Sequence, residues 1–249
     1  MVVGRPLIRI SETTSTNDVA AELARFGAAS GTTVLAGYQT AGRGRAGRAW
    51  DVPPWTSLLL SFVWHTNREP SALGSLSLLV GEAVARTVET VSGRTSSIKW
   101  PNDVMVDGRK ISGILLVNKS IIGQARPCVI TGIGLNVNAT AEHLPDTATS
   151  LAMLTGAPLD LNEVLAVHLA NLTDAMIRFE GDDVASAWER LHDRLAFRGD
   201  LVTVQDGTRV IAGRVLGVAP DGALQLETAD GKLVNIVAGD VTRGPRKLG

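Results

Sequence analysis

One cysteine, Cys128, is all that the 249-residue sequence carries. A lone thiol closes no intrachain disulfide and belongs to no CxxC pair, which fits a reducing compartment and argues against a thiolate metal site. Charge of one sign is missing too. The formal net charge is −1, so no overall basic field draws the chain to DNA or to an anionic membrane. Long hydrophobic runs are absent: Leu58–Trp64 and Ile111–Val117 fall far short of a membrane span. Arg5 and Arg9 interrupt Met1 to Ile10, so no signal peptide is read there. The expectation is a soluble, cytoplasmic protein. Histidine is scarce, and His65, His143, His168 and His192 show no ligand spacing. His168 and His192 fall in helical segments and read as surface or capping residues. With no Ser–His or Cys–His pairing signal, no hydrolase site is visible.

What is present is enough for a sizeable core, with 45% hydrophobic residues. Pro6–Ile10 reads as a short strand. Ser15 then offers a helix cap, with Asp18 three positions on and an end near Gly27. Thr32–Tyr38 and Ser57–Trp64 read as strands on either side of a long loop rich in glycine and proline. From Ser71 to Val91, Leu73, Leu76, Val80, Val84, Val88 and Val91 recur at helical spacing. Short strands follow at Ser97–Trp100, Val104–Val106 and Arg109–Val117, the last two joined by the hairpin turn Asp107-Gly108. Cys128–Gly132 and Gly134–Val137 continue as a buried strand, and Asn162–Phe179 and Asp183–Arg194 as helices; Trp188, Leu191 and Leu195 mark one packed face of the second. Beyond Arg198 the texture changes. Asp206-Gly207, Asp221-Gly222 and Asp230-Gly231 punctuate alternating apolar residues at regular spacing, the pattern of a small barrel of about five strands. The fold class is therefore α/β (α+β), a mixed-sheet domain over residues 1–198 followed by a small all-β domain over 199–249.

The stretch Gly42-Arg43-Gly44-Arg45-Ala46-Gly47-Arg48-Ala49-Trp50 carries the most information. Its GxGxxG spacing suggests a dinucleotide site, but Asp51-Val52-Pro53-Pro54 follows where a helix should open. Gly42 and Gly47 also have P-loop separation, yet Arg48 and Ala49 replace the lysine and the magnesium-binding hydroxyl. Both standard motifs fail. Two readings remain. Glycine-permitted backbone approach with three forked cations suits a phosphate or acyl phosphate enclosed away from water. Alternatively, the segment is a solvated basic turn, with RNA as its partner.

Lys99-Trp100-Pro101-Asn102-Asp103 gathers a cation, two polar side chains and two rigid groups. Asp103 could hold Mg²⁺ and Lys99 could meet phosphate; equally, the segment is a turn whose Asx side chains bond their own backbone. Lys110 is one of only 5 lysines against 19 arginines. It enters the run Ile111–Val117, where Gly113 permits close approach, and its bland reading is an exposed lysine at a strand start. Gly132-Ile133-Gly134-Leu135-Asn136-Val137-Asn138 offers backbone approach and amide chemistry to a ligand, or a core strand with a bulge.

In this order these pieces resemble the biotin–protein ligase family. Its motifs are matched by Ser15-Thr16-Asn17, by Gln39 with Gly42 to Trp50, and by Lys99 to Asp103. Gly108-Arg109-Lys110-Ile111-Ser112-Gly113-Ile114-Leu115 and Gly132-Ile133-Gly134-Leu135-Asn136 complete the set, and the similarity spans essentially the whole chain. The resemblance implies a catalytic domain related to class II aminoacyl-tRNA synthetases and an SH3-like C-terminal domain. By motif it implies biotin recognition by Ser15, Thr16, Asn17, Gln39, Gly42, Arg43, Gly44, Arg45, Lys110 and Gly113. It implies ATP contacts from Arg45, Arg48, Trp50, Lys99, Asn102 and Asn136, Mg²⁺ at Asp103, and catalysis by Lys110, Arg43 and Arg45.

The implied reaction activates biotin as its adenylate and passes it to a lysine of a biotin carboxyl carrier domain. It needs no protein nucleophile, in keeping with the sequence. Some members carry an N-terminal DNA-binding domain; with Ser-Thr-Asn starting at Ser15, the monofunctional form is expected, binding neither DNA nor membrane. Lipoate–protein ligase is the alternative enzyme, and a nucleic-acid module using the arginine loop and exposed tryptophans the alternative of another class. Three glycines and the mutual repulsion of three arginines further predict that Gly42–Trp50 is mobile without ligand and orders around biotin or its adenylate, and that Gly44→Ala or Arg45→Ala speeds adenylate release.

Overall fold

The computed structural model describes residues 1–69, 72–119, 127–181 and 185–244. Its main sheet has seven strands in the order β1-β2-β3-β7-β6-β5-β4. These are β1 (Leu7–Thr13), β2 (Thr33–Gln39), β3 (Ser57–His65), β4 (Ser97–Lys99), β5 (Asp103–Val106), β6 (Arg109–Lys119) and β7 (Cys128–Asn136). β1 and β2 are parallel, joined across helix α1 (Thr16–Arg25), and every other neighbouring pair is antiparallel. The apolar run of β3, Leu58 to Trp64 with Ser61 as its one interruption, follows from burial on both faces. On one side α1 lays Ala20 and Ala24 over Val34, Val63, Cys128 and Ile130. On the other, α2 (Leu73–Ser92) and α4 (Leu161–Glu180) close the main core over Leu58, Leu60, Phe62 and Ile114.

The Asp107-Gly108 pair makes the turn its sequence requires. Both residues adopt positive φ, 50° and 76°, the requirement of a tight two-residue hairpin. The expected α2 start at Ser71 and the expected start of α5 at Asp183 lie outside the described residues; α5 is seen over Ala185–Arg194. One short helix, α3 (Leu151–Thr155), escapes sequence reading because five residues carry no periodicity. It is set by Ser150, whose Oγ accepts from the Met153 amide at 3.3 Å.

The second sheet, order β11-β10-β9-β8-β12, is antiparallel throughout. It comprises β8 (Leu201–Asp206), β9 (Arg209–Val218), β10 (Leu224–Glu227), β11 (Leu233–Ile236) and β12 (Asp240–Arg243). Gly207, Gly222 and Gly231 all have positive φ, as their turns demand. The Asp221-Gly222 turn docks on the start of α2. A Cβ on Gly222 would lie 2.3 Å from the Gly74 backbone, and the buried Trp100 indole donates to the Gly222 carbonyl at 2.9 Å.

His168 corrects the sequence reading. It is fully buried between α4 and α2, with Nδ1 3.2 Å from the Thr87 hydroxyl, rather than on the surface. Its helical position identified the helix but not which face turns inward. Burial holds its pKa at about 4, below the ordinary 6.5. The unfolded chain therefore takes up a proton between those values that the folded chain refuses. Stability is full above pH 6.5 and is lost as pH falls toward 4, by roughly 3 kcal/mol at the limit. Urea unfolding at pH 7 and pH 4.5 should show that loss in the parent and much less of it in His168→Gln. Equal pH dependence in both would assign the acid sensitivity elsewhere.

Candidate active site

β-strand ends and the 39–54 loop enclose a cavity of about 530 Å³. Its lining includes Ser15, Thr16, Asn17, Gln39, Arg43, Gly44, Arg45, Arg48, Trp50, Lys99, Asn102, Asp103, Lys110 and Gly113, so the structure brings together all the expected site residues but two. Gly42 and Asn136 stand behind the wall. A Cβ on Gly42 would meet the Trp50 carbonyl oxygen at 2.3 Å, which places this glycine in the closure of the loop. Asn136 is buried and donates from Nδ2 to the Thr149 carbonyl at 3.0 Å.

One end of the cavity is a network of neutral polar groups. Gln39 Oε1 accepts from the Thr16 amide at 2.7 Å and the Thr16 hydroxyl at 3.0 Å. The Thr16 hydroxyl lies 2.7 Å from Ser61 Oγ, which donates to Asn17 Oδ1 at 2.5 Å. With its oxygen held in this way, Asn17 has a buried Nδ2 that finds no hydrogen-bond partner among the described residues. A Cβ on Gly132 would lie 2.2 Å from Asn17 Oδ1, so that glycine makes room for the amide. Ser15 begins α1 but makes no side-chain cap bond, contrary to expectation. Ser61 was missed, though a serine inside the apolar run Leu58–Trp64 is a readable signal.

The other end is cationic. Six basic side chains, Arg43, Arg45, Arg48, Lys99, Lys110 and Arg243, line the cavity against a single carboxylate, Asp103. Lys110 Nζ lies 2.7 Å from Asp103 Oδ1 and 5.4 Å from the centre of the Trp50 ring. The backbone of Lys110 is fixed on a second side by bonds to Thr147 and Thr149, at 2.8 and 2.9 Å. Gly113 and Gly134 form the floor beneath Trp50; Cβ atoms there would stand 3.1 and 2.4 Å from the indole. These glycines therefore admit a protein side chain, whereas sequence reading assigned such backbone approach to a ligand. Phe197, Val241, Thr242 and Arg243 reach the cavity from beside and within the small sheet. No sequence signal links them to the site, because only packing brings them there.

The arginine loop is folded down. Arg43 and Ala49 form a β-bridge, the Gly44 amide donates to the Arg48 carbonyl at 2.7 Å and the Trp50 amide to Gly42 at 2.9 Å. Each arginine has its own acceptor: Arg43 pairs with Asp18, Arg48 with Asp240 at 3.1 Å, and Arg45 reaches the Gly239 carbonyl at 3.5 Å. Dispersed partners offset the repulsion. Burial holds the Arg45 pKa below its ordinary value, with nearby Asp240 opposing that shift. The Arg48–Asp240 pair is about half exposed, 56% and 51%, so its worth is small, about 0.2–1 kcal/mol. Asp240→Asn, which frees Arg48 without changing the charge that lines the cavity, should weaken retention of a bound anion a few-fold if this pair holds the loop down. Retention equal to the parent's would mean that the Arg48–Asp240 pair does not hold the loop.

Asp103 is too sparsely accompanied to form a metal cage: among the described residues no group of three or more His, Cys, Asp or Glu side chains stands together. A Mg²⁺ that stays on substrate phosphates and keeps its waters needs only one such oxygen, and this donor set fits it.

Comparison with known proteins follows the same division of the chain. Residues 9–136 match the biotin/lipoate A/B protein ligase family, and residues 199–244 match the biotin protein ligase C terminal domain. A biotin–[acetyl-CoA-carboxylase] ligase of Mycobacterium tuberculosis is 34% identical, over 95% of this chain and 88% of that protein. The bifunctional ligase/repressor BirA of Bacillus subtilis is 32% identical, over 98% of this chain and 75% of that protein. The structure of the Aquifex aeolicus biotin protein ligase in complex with biotin and ATP superposes with a TM-score of 0.81. It is 28% identical and covers 96% of this chain and 99% of its own.

Proposed function

This chain belongs to the biotin/lipoate A/B protein ligase family, and from that premise we propose that it is a biotin–protein ligase working through two half-reactions in one cavity. The observation that carries the reading is the pairing of an amide-recognising end with a cationic end. Thr16, Asn17 and Gln39 suit the neutral ureido ring of biotin, and the unpartnered Asn17 Nδ2 suits its carbonyl oxygen. Six basic groups suit a carboxylate meeting a triphosphate.

In the first half-reaction a biotin carboxylate oxygen attacks the α-phosphorus of ATP, and the bond to pyrophosphate breaks. Two anions must approach, and Lys110, Arg43 and Arg45 lower that barrier by standing where negative charge gathers. Asp103 would hold Mg²⁺, which when bound offsets further phosphate charge. Arg48, Lys99 and Asn102 face the nucleotide, and the folded loop keeps water from the mixed anhydride. In the second, a lysine amine attacks the acyl carbon and AMP leaves. We take the acceptor to be a biotin carboxyl carrier domain.

We assign residues 1–198 to the catalytic unit and 199–249 to the appended barrel, which supplies Arg243 to the cavity. A cytoplasmic location is supported by the single cysteine, Cys128, which is buried and free. Among the described residues no helix is long and apolar enough to cross a membrane.

The test is ATP–pyrophosphate exchange with biotin or lipoate, followed by transfer to a carrier domain. Exchange that requires biotin supports the reading; exchange only with lipoate overturns it.

A further inference from the structure

A second cavity, about 340 Å³, lies on the far side of the arginine loop. It shares Gly44, Arg45, Asn102, Ile114 and Leu115 with the active-site cavity, so the two spaces adjoin across these residues. Its remaining walls are Ala46 of the loop, Gly74, Ser77, Trp100, Pro101 and Leu116 of the main domain, and Gly222 and Val237 of the small domain. The bond from Trp100 to the Gly222 carbonyl fixes the two sides together. Val237, 79% exposed, stands at the outer mouth.

The charge pattern of this groove differs from that of the main cavity. Among the described residues that line it, Arg45 is the one that is charged and none is a carboxylate. A triphosphate would find one cation here instead of six, and the ureido ring would find none of the Thr16–Gln39 network. A lysine side chain fits what is present. Its four methylenes match apolar walls, and its nitrogen would arrive beside Arg45 after leaving water.

We propose that this groove is the entry channel for the acceptor lysine, and that it delivers the amine in its uncharged, nucleophilic form. The proposal rests on the biotin–protein ligase reading. Desolvation by the walls and repulsion by Arg45 both disfavour the ammonium, so its proton passes to solvent on entry. The amine lone pair then attacks the acyl carbon of biotinyl-AMP. A C–N bond forms, the C–O bond to AMP breaks with its electron pair on AMP, and the second proton leaves the new amide nitrogen to solvent. An acidic groove would hold the ammonium and block this step; the groove seen here does the opposite.

The test uses Val237→Trp at the exposed mouth and Leu116→Trp deeper in the wall, each in the full chain. Three rates are measured: biotin-dependent ATP–pyrophosphate exchange, transfer to a carrier domain, and transfer to hydroxylamine, which needs no side-chain channel. Exchange and hydroxylamine transfer should stay within about twofold of the parent. Transfer to the carrier should fall by at least about tenfold in the mouth variant, which is expected to fold normally. Unchanged carrier transfer in both variants overturns the channel. A parallel fall in exchange also overturns it, because the groove then serves the nucleotide. A parent protein with no biotin-dependent exchange fails at the earlier reading and takes this one with it.

Discussion

Replacing Lys110 with alanine should lower the rate of biotin-dependent pyrophosphate exchange by about 100- to 1000-fold, or roughly 3–4 kcal/mol, while the fold survives. Lys110 stands at the cationic end with Nζ held 2.7 Å from Asp103 and close to the Trp50 ring. Its backbone is pinned between two neighbouring segments. A cation fixed in this way needs little reorganisation when charge develops on the α-phosphate, and that preorganisation makes its removal costly. A second consequence follows from the ion pair. Without Lys110, the largely buried Asp103 loses its ion-pair partner at 2.7 Å. Lys110→Arg should then restore the pair in part without restoring the rate, because a planar fork does not replace a compact ammonium. A folded Lys110→Ala protein with exchange within fivefold of the parent would remove Lys110 from the chemistry.

Much of this site was legible in the sequence, and the reason is local. Arg45 and Lys110 sit in short motifs whose composition already suggests anion binding, Thr16, Asn17 and Gln39 were marked only by the family resemblance, and all of them reach one cavity. The Asp107-Gly108 hairpin and the Asp-Gly turns of the barrel were legible because such turns require positive φ. What escaped was non-local. Ser61 gains its meaning only when β3 lies beneath α1, and Arg243 and Phe197 enter the site only when the barrel docks. His168 shows the same limit from the other side, since its helix was readable but not the face that α2 covers. The partners of the loop arginines were hidden for a related reason. Repulsion among Arg43, Arg45 and Arg48 is visible in sequence, whereas Asp18, Asp240 and Gly239, their acceptors, are distant along the chain.

The loop itself supplies the second large effect: Gly42→Ala should release biotinyl-AMP about 10- to 100-fold faster than the parent, while Gly44→Ala should be nearly silent. Motif reasoning treats these two glycines alike and assigns the fast release to Gly44. The geometry separates them. A Cβ on Gly42 would lie 2.3 Å from the Trp50 carbonyl oxygen and 3.1 Å from Gln39 Nε2, so it strikes backbone at the point where the loop closes. The Trp50 amide donates to the Gly42 carbonyl at 2.9 Å, and relieving the clash breaks that bond. Overpacking of this kind costs about 1–3 kcal/mol, which sets the expected range of rates. Gly44 has φ of −104°, within reach of any residue, and its nearest neighbour to a Cβ is 3.5 Å away. Opening the loop exposes a mixed anhydride to water, so the Gly42→Ala protein should also hydrolyse its adenylate faster than it transfers it. A chase of labelled biotinyl-AMP from each protein, with hydrogen exchange over residues 42–50, decides the matter. Similar release from the two variants would mean that loop closure does not govern retention of the adenylate.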